Sequence, residues 1–413
     1  MMPIKNSLTL LFLLSLCFCC ESLFAQQWSF YRGPNSDGTA ATTAKLQGQL
    51  KVHWKVPTNL GFSSFSLADG KALTVVTKGK REQCVALDIE TGEELWTAPL
   101  GSNKYQRGGD SGARNNKGGD GPRSTPTIKD GLVYIYDAHM KLYCLKLENG
   151  NTVWSQDILN DYKGINIKWQ SAASPVVDDK RVFVPGGGPG HSMLAFNRTN
   201  GELIWKVGSE TMTHATPLLT SMGGTDQILF FMQSGIFALN PETGEQLWKT
   251  PFPYKTSTAA APVVFKDFVY ASAGYGVGAK LFQVNGASVE KKWEKPNRLQ
   301  NHWSTPVFYK GHIYGMFSFK RYGRGPMKCI DPLTGEEKWS KEGYGPGNCI
   351  LVNDKLVTLS DSGELVIVEA TPDAYKEISR DKVLAGKCWS MPAIDNGKIY
   401  LRSTSEGACV SFE

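Results

Sequence analysis

Beyond its first 25 residues the 413-residue sequence contains no CxxC and no cluster of cysteine with histidine, and nowhere does it contain HExxH or GxxxxGK[ST]. Thiol-based zinc or redox centres, zincin proteolysis and P-loop phosphate chemistry each need one of those spacings. No Ser-His-Asp order suggests a hydrolytic triad either. The 45 basic and 39 acidic residues give a net charge of +6 without any basic block, so there is no electrostatic footprint for a nucleic-acid partner. After the amino-terminal segment no apolar run is long enough to cross a membrane.

That amino-terminal segment reads as an export signal. Lys5 supplies the positive charge, Leu8 to Cys20 the apolar run, and Ala25 in ESLFAQQ the cleavage point. The mature chain is therefore expected to be exported, soluble and monomeric, in a periplasm or secreted. Cys17, Cys19 and Cys20 leave a lipid-anchored form as an alternative, although Leu16, Phe18 and Cys19 are poor neighbours for a processing step that favours small residues. Six cysteines follow: Cys84, Cys144, Cys329, Cys349, Cys388 and Cys409. All fall in strand-like contexts where buried thiols are common. Export leaves their pairing open, and no metal site is expected from them.

The body of the chain is organised by one recurring stretch, whose fullest copy is ALDIETGEELW from Ala86 to Trp96. Val85, Ala86 and Leu87 suit the end of a buried strand, while Asp88 and Thr91 can bond exposed amides in a turn. Gly92 supplies a positive φ, and Trp96 has enough apolar surface to fasten its sheet to a neighbour. Counting Trp54, Trp96, Trp154, Trp205, Trp248, Trp293, Trp339 and the degenerate Ile378, eight positions recur at spacings of 42, 58, 51, 43, 45, 46 and 39 residues. A period of this size in a β-rich chain indicates a four-stranded propeller blade.

Between these positions most blades carry a small residue and a proline, with an apolar pair seven and eight positions later, as in Thr125-Pro126 with Val133-Tyr134. Cys388 to Phe412 supplies three strands of a last blade, and the orphan strand around Trp54 can complete it. The expected fold is an all-β, eight-bladed propeller closed by its two ends in one blade. The division is a signal at residues 1–25, an arm at 26–49 lying over the body, and a propeller at 50–413. The glycine-rich insertion from Gly101 to Gly121 reads as a mobile surface loop in preference to a phosphate cradle.

Function is sought where the copies differ. Three residues before the proline stand Phe62, Arg123, Ala172, His214, Ala259, Trp303, Gly347 and Trp389, with blades one and seven aligned on their hairpins. First strands lie nearest a propeller axis, so this row is expected to line the channel. Arg123, His214, Trp303 and Trp389 would form a pocket at one mouth, with Trp169, Gln170, Asn301 and His302 near its rim. Arg123 would hold an anion and the indoles would stack on a planar or sugar-like group. The alternative is that these side chains plug the channel and His214 is a satisfied buried histidine.

The motif Ala-x-Asp-x-x-Thr-Gly-x-x-x-Trp, matched in full by Ala86 to Trp96, resembles the pyrroloquinoline-quinone (PQQ)-like propeller repeat across nearly the whole mature chain. Trp28 to Gly38, GPRSTP at Gly121 to Pro126 and the ending from Asp373 to Tyr400 resemble exported PQQ-like proteins of planctomycetes and related bacteria. In size and repeat layout the chain is also similar to BamB, a non-enzymatic propeller that docks on a β-barrel assembly machine. That resemblance implies an assembly scaffold with a protein or envelope partner. The alternatives are a small-ligand binder for quinone or carbohydrate, and a PQQ-dependent dehydrogenase of alcohols or sugars. The enzymes of that last class add a Ca²⁺ site, a catalytic aspartate and often adjacent cysteines against the cofactor. Here the only adjacent pair is Cys19-Cys20, in the signal, and no carboxylate cluster stands out. PQQ with Ca²⁺ is therefore not expected, and the tryptophan motif itself is structural.

Overall fold

The computed structural model describes residues 27–105, 121–254, 256, 258–317 and 321–413; the signal, its cysteines and most of the Gly101 to Gly121 loop lie outside the described residues. The described chain forms eight sheets, six of them meanders of four consecutive antiparallel strands and two that also take a strand from the amino-terminal region. The first strands are Ser66–Ala68, Thr127–Lys129, Val176–Val177, Leu218–Met222, Val263–Phe265, Val307–Tyr309, Asn348–Val352 and Ala393–Asp395, which define blades 1 to 8. The first strand of blade 1 touches those of blades 2 and 8, that of blade 2 touches blade 3, and that of blade 6 touches blades 5 and 7, which places the first strands around the axis. The one described helix is the four-residue turn Ile158–Asp161.

Blade 8 takes its outer strand from the other end of the chain. Leu50–Pro57 runs antiparallel to Glu406–Phe412, with Leu50 opposite Phe412 and Trp54 opposite Cys409. A buried cation reinforces the closure. Arg402, at the end of the second strand of blade 8, donates to the carbonyls of Ser63, Val75 and Asn59 and to Thr74 Oγ1 of the blade 1 region, at 2.7 to 3.1 Å. Burial pulls its pKa down to about 9, which leaves it charged at neutral pH.

The repeated motif explains how blades dock. Asp88 Oδ1 accepts the amides of Glu90 and Thr91, which fixes the turn, and Gly92 at φ +74° forms a flat seat. The indole of Trp54 from the preceding blade lies on that seat, so close that a methyl group on Gly92 would stand 2.8 Å from its Cδ2. Trp54 Nε1 then donates to the carbonyl of Ile89 within the turn. Trp96, Trp154, Trp205, Trp293 and Trp339 donate in the same way to Leu147, Arg198, Pro241, Pro332 and Thr371 of the next blade. Trp248 is the exception. Blade 5 has no Asp-x-x-Thr-Gly turn, and the indole bonds Gln227 Oε1 of its own blade. The six later cysteines are buried and unpaired, and burial pushes the Cys84 thiol far above its ordinary value.

Only the first part of the amino-terminal arm departs from lying over the body: residues 28–40 cross the axis against the inner strands, and residues 41–49 then run along the surface, where Thr42 bonds Asn353 and Gln49 bonds Glu413. Trp28 O accepts from Leu67 of blade 1 and Ser29 O from Ile128 of blade 2. Arg32, 4% exposed, donates across the axis to the carbonyls of Thr305 and Pro306 at blade 6. Thr39–Ala40 then pairs in parallel with Leu351 and Val352, giving blade 7 a fifth strand on its axial edge. These contacts satisfy inner-strand backbone groups that would otherwise face an open channel.

Candidate functional site at the channel mouth

The first strands of all blades run in the same sense, so residues just before them gather at one end of the channel. A cavity of about 470 Å³ lies there, within the range of small-molecule sites. Six of the eight residues expected at a pocket line it: Arg123, His214, Trp303, Trp389, Trp169 and His302. Phe62, Ala172 and Ala259 of the same sequence row join them. Gln170 and Asn301 do not line the cavity. Gln170 is buried, bonded through Oε1 to Asn166. Asn301 is fully buried and holds blades 5 and 6 together, donating to Met316 O and accepting from Tyr270. In blade 7 the hairpin pairs Val352 with Lys355, where blade 2 pairs Lys129 with Leu132. That register places Pro346, not Gly347, at the aligned position, and Asn348 is the blade 7 residue on the wall.

The floor is Tyr31, contributed by the arm, which also lines a second cavity of about 190 Å³ with Val176, Val177 and Leu219. The mouth is ringed by aromatic contacts. Phe62 stacks on Trp389 at 4.7 Å, Trp389 meets Trp303 at a tilt at 4.5 Å, and Trp303 meets His302 at 4.7 Å. His302 meets Tyr275 edge-on at 5.1 Å, Tyr275 lies parallel to Trp169 at 6.2 Å, and Trp169 approaches His214 at 6.1 Å. Arg123 stands 5.4 Å over Phe62 and near His214, closing the ring. Tyr31, Tyr275 and Tyr322 come from segments outside the repeat, so alignment of the blades could not find them. Trp169 and Gln170 both hold left-handed backbone, at φ +68° and +66°, the kind of local strain that gathers at binding sites.

The electrostatics of the wall are one-sided. No Asp or Glu is among the lining residues, whereas Arg123 and Lys168 are. Lys387 stands 4.6 Å over Trp389 and 4.9 Å over Tyr322 at the rim. Burial, then the charge of Arg123, pulls the His214 pKa down to about 3, while carbonyls of Lys168 and Gln170 act the other way. His214 is therefore neutral. Behind Arg123, Glu82 and Asp137 are buried side by side. Burial and the charge of Asp137 push Glu82 up to about 8, and burial raises Asp137 to about 6. Tyr105 donates to Glu82, and the amide of Ala138 donates to its other oxygen at 3.2 Å.

Ser64 of blade 1 and the small residues preceding the prolines of blades 2, 3 and 4 form a hydroxyl chain. The Ser64 amide donates to Thr125 Oγ1, that of Thr125 to Ser174 Oγ, and that of Ser174 to Thr216 Oγ1, at 2.9 to 3.0 Å. Met391 of blade 8 donates to Ser64 Oγ at 2.8 Å, so one chain of hydroxyls links blades 8, 1, 2, 3 and 4. The signal was present as Ser or Thr before Pro in several blades, but it read as mere smallness.

The lining can be tested against PQQ and Ca²⁺. Arg123 and Lys168 suit the carboxylates of PQQ, but Ca²⁺ takes about six to eight oxygen ligands, usually including carboxylates. The wall offers none, and no group of three His, Cys, Asp or Glu among the described residues could hold a metal. The residues do not fit that pair.

The family model described as outer membrane protein assembly factor BamB matches residues 80–341. A quinoprotein ethanol dehydrogenase of Pseudomonas aeruginosa is 27% identical over 150 residues, which cover 32% of this chain and 23% of the relative. A tetrathionate hydrolase of Acidithiobacillus ferrooxidans is 27% identical over 262 residues, covering 63% of this chain and 44% of the relative. The chain thus spans less than half the length of these two relatives. Among solved structures, BamB from Moraxella catarrhalis superposes with a TM-score of 0.61 at 16% identity, over 89% of this chain and 98% of that one, a likeness of fold.

Proposed function

This chain belongs to the family of the outer membrane protein assembly factor BamB, and we propose that it is a non-catalytic binding propeller of the cell envelope that holds a small ligand at its channel mouth. The observation that carries this reading is the cavity itself, floored by the arm, ringed by aromatic side chains and lined by cations without carboxylates. A cavity closed at one end desolvates a ligand on all sides but one, and rigid aromatic walls lose little entropy on contact. The test is a broad thermal-shift screen of small molecules on the wild type and on Trp303→Ala/Trp389→Ala. A stabilising ligand whose effect disappears in the double variant supports the reading. Ligands that stabilise both proteins equally, or none at all, refute it.

A second reading, a scaffold for a protein partner, is favoured by the circumference. Val52, Leu95, Val153 and Ile204, on the outer strands of the consecutive blades 8, 1, 2 and 3, are 51%, 48%, 41% and 43% exposed. An aliphatic row of this kind suits a protein contact. Leu95→Glu/Val153→Glu should abolish recovery of a reproducible envelope partner by crosslinking while leaving the channel ligand bound. Unchanged crosslinks would remove the row from consideration.

A further inference from the structure

Given the channel-mouth reading above, on which this rests, we infer that the cavity takes a neutral sugar: a pyranoside whose hydroxyls meet one arc of the wall and whose C–H groups meet the rings of the other.

One arc of the wall is a run of hydroxyl donors. Ser64, Thr125, Ser174 and Thr216 of blades 1 to 4 all line the cavity, and each oxygen already accepts a backbone amide. A hydroxyl that accepts such a bond keeps its own proton to donate. Among the described residues none of the four gives that proton to another protein group, so this arc can donate to several oxygens of one ligand.

The wall also holds neutral polar atoms that the fold leaves over. Asn348 of blade 7, across the ring from blade 3 and 2% exposed, has an Oδ1 without a hydrogen-bond partner, while its amide nitrogen donates to Trp389 O at 2.6 Å. Trp303 Nε1 donates to Pro346 O at 2.8 Å, but Nε1 of Trp389 and Nε1 of Trp169 find no hydrogen-bond partner among the described residues. Buried polar atoms are nearly always bonded, and a ligand group satisfies them directly or through one water. A carboxylate has no proton for Asn348, an ammonium has no lone pair for the donors, and a hydrocarbon serves neither. A hydroxyl serves both at a single oxygen.

The rings supply the apolar half. Tyr322 of blade 6 lies nearly parallel to Trp389 of blade 8 at 6.0 Å, and Trp303 meets Trp389 at a tilt of 35°. Cations of the mouth already lie over ring faces, Lys168 at 4.9 Å over Trp169 and Lys387 at 4.6 Å over Trp389, which disfavours a cationic ligand there. All four rings still line the cavity, so apolar ring surface remains for C–H groups. A pyranose, with hydroxyls around its edge and C–H groups on its faces, answers both arcs at once.

The experiment is calorimetric titration of the full mature chain with the methyl α-pyranosides of D-glucose, D-galactose and D-mannose, set against tetrahydropyran, N-acetylglycinamide and D-glucuronate at fixed ionic strength. At least one glycoside should bind about tenfold or more tightly than tetrahydropyran, the same ring without hydroxyls, which is the discrimination that one or two hydrogen bonds supply. Trp389→Phe keeps a ring but removes the N–H, and should lower the ratio of glycoside to tetrahydropyran affinity roughly three- to tenfold. If Trp389→Phe does not fold, Trp169→Phe at the half-buried rim should do the same; a ratio unchanged in the folded variant would overturn the role of the indole donors. Tetrahydropyran binding as tightly as the glycosides would show that hydroxyls are not read. Tighter binding of N-acetylglycinamide would replace the sugar with a peptide group, and tighter binding of glucuronate would replace the neutral ligand with an anion. If no glycoside binds while the screen finds another ligand dependent on Trp303 and Trp389, the sugar class falls and the pocket stands. If neither experiment yields a ligand, the pocket itself falls.

Discussion

Gly201 and Gly131 make a matched pair for testing how the blades are fastened. Both turn with nearly the same left-handed backbone, φ +76° and +73°. A methyl group on Gly131 would meet nothing within 4 Å, whereas one on Gly201 would stand 2.7 Å from Cδ2 and Cε3 of Trp154. Gly131→Ala should therefore show the backbone cost alone, about 1 to 2 kcal/mol for an L-residue in that region. Gly201→Ala carries the same cost plus displacement of a buried indole. Overpacking adds about 1 to 3 kcal/mol. The bond from Trp154 Nε1 to Arg198 O, 3.0 Å long, contributes about 1 kcal/mol more if the ring tilts off its seat. The expected totals are roughly 1.5 kcal/mol for Gly131→Ala and 4 kcal/mol for Gly201→Ala. Urea unfolding followed by circular dichroism measures both. With Trp154→Ala as background the clash is gone, so Gly201→Ala should fall to the level of Gly131→Ala, a coupling of about 2 to 3 kcal/mol. Equal costs for the two alanines, or strict additivity with Trp154→Ala, would show that the indole is not seated on the turn.

Two further outcomes follow from buried charge. Glu82 has an ordinary value of 4.5 and is pushed to about 8 in the folded chain. Its contribution to stability is full below the ordinary value and is lost as pH rises through about 8. Urea midpoints should therefore fall from pH 5 to pH 8 by an amount worth about 1 to 4 kcal/mol. Glu82→Gln should flatten that fall, and an unchanged slope would assign it elsewhere. Arg32→Met removes the bonds to Thr305 O and Pro306 O but keeps the stem that fills the channel. Limited proteolysis should then cut between Trp28 and Ala40 faster than in the wild type; equal rates would mean the arm is held by its backbone pairing alone.

The blades were legible because each is specified locally. A turn aspartate, a seat glycine and a tryptophan recur within eleven residues, and the missing outer strand of blade 8 has its complement in the sequence around Trp54. The arm was not legible. Its contacts are a guanidinium on carbonyls and two residues of parallel pairing, which leave no periodic pattern, so Arg32 looks like any surface cation. The channel row was readable because alignment on the proline fixes which residue faces the axis. Gln170 and Asn301 stand two residues before aligned positions in irregular segments ahead of the first strands, where no strand alternation fixes the direction of a side chain, and both turn into the blades. The tyrosines of the floor and rim come from segments that have no counterpart in other blades. In blade 7 the absence of the proline cost one residue of register.

A closed ring resists being opened at its seam, but nothing in closure alone keeps it round. Blades 2 and 6 stand on opposite sides of an eight-membered ring, and the arm is anchored to both, through Ser29 O to Ile128 and through Arg32 to Thr305 and Pro306. It therefore acts as a spoke across the diameter. Flattening the ring along one direction would stretch or buckle that spoke, so the span of the channel at the cavity floor is tied by a segment only four residues long. The width of the channel at that level is in this sense a property of residues 29–32 as much as of the blades.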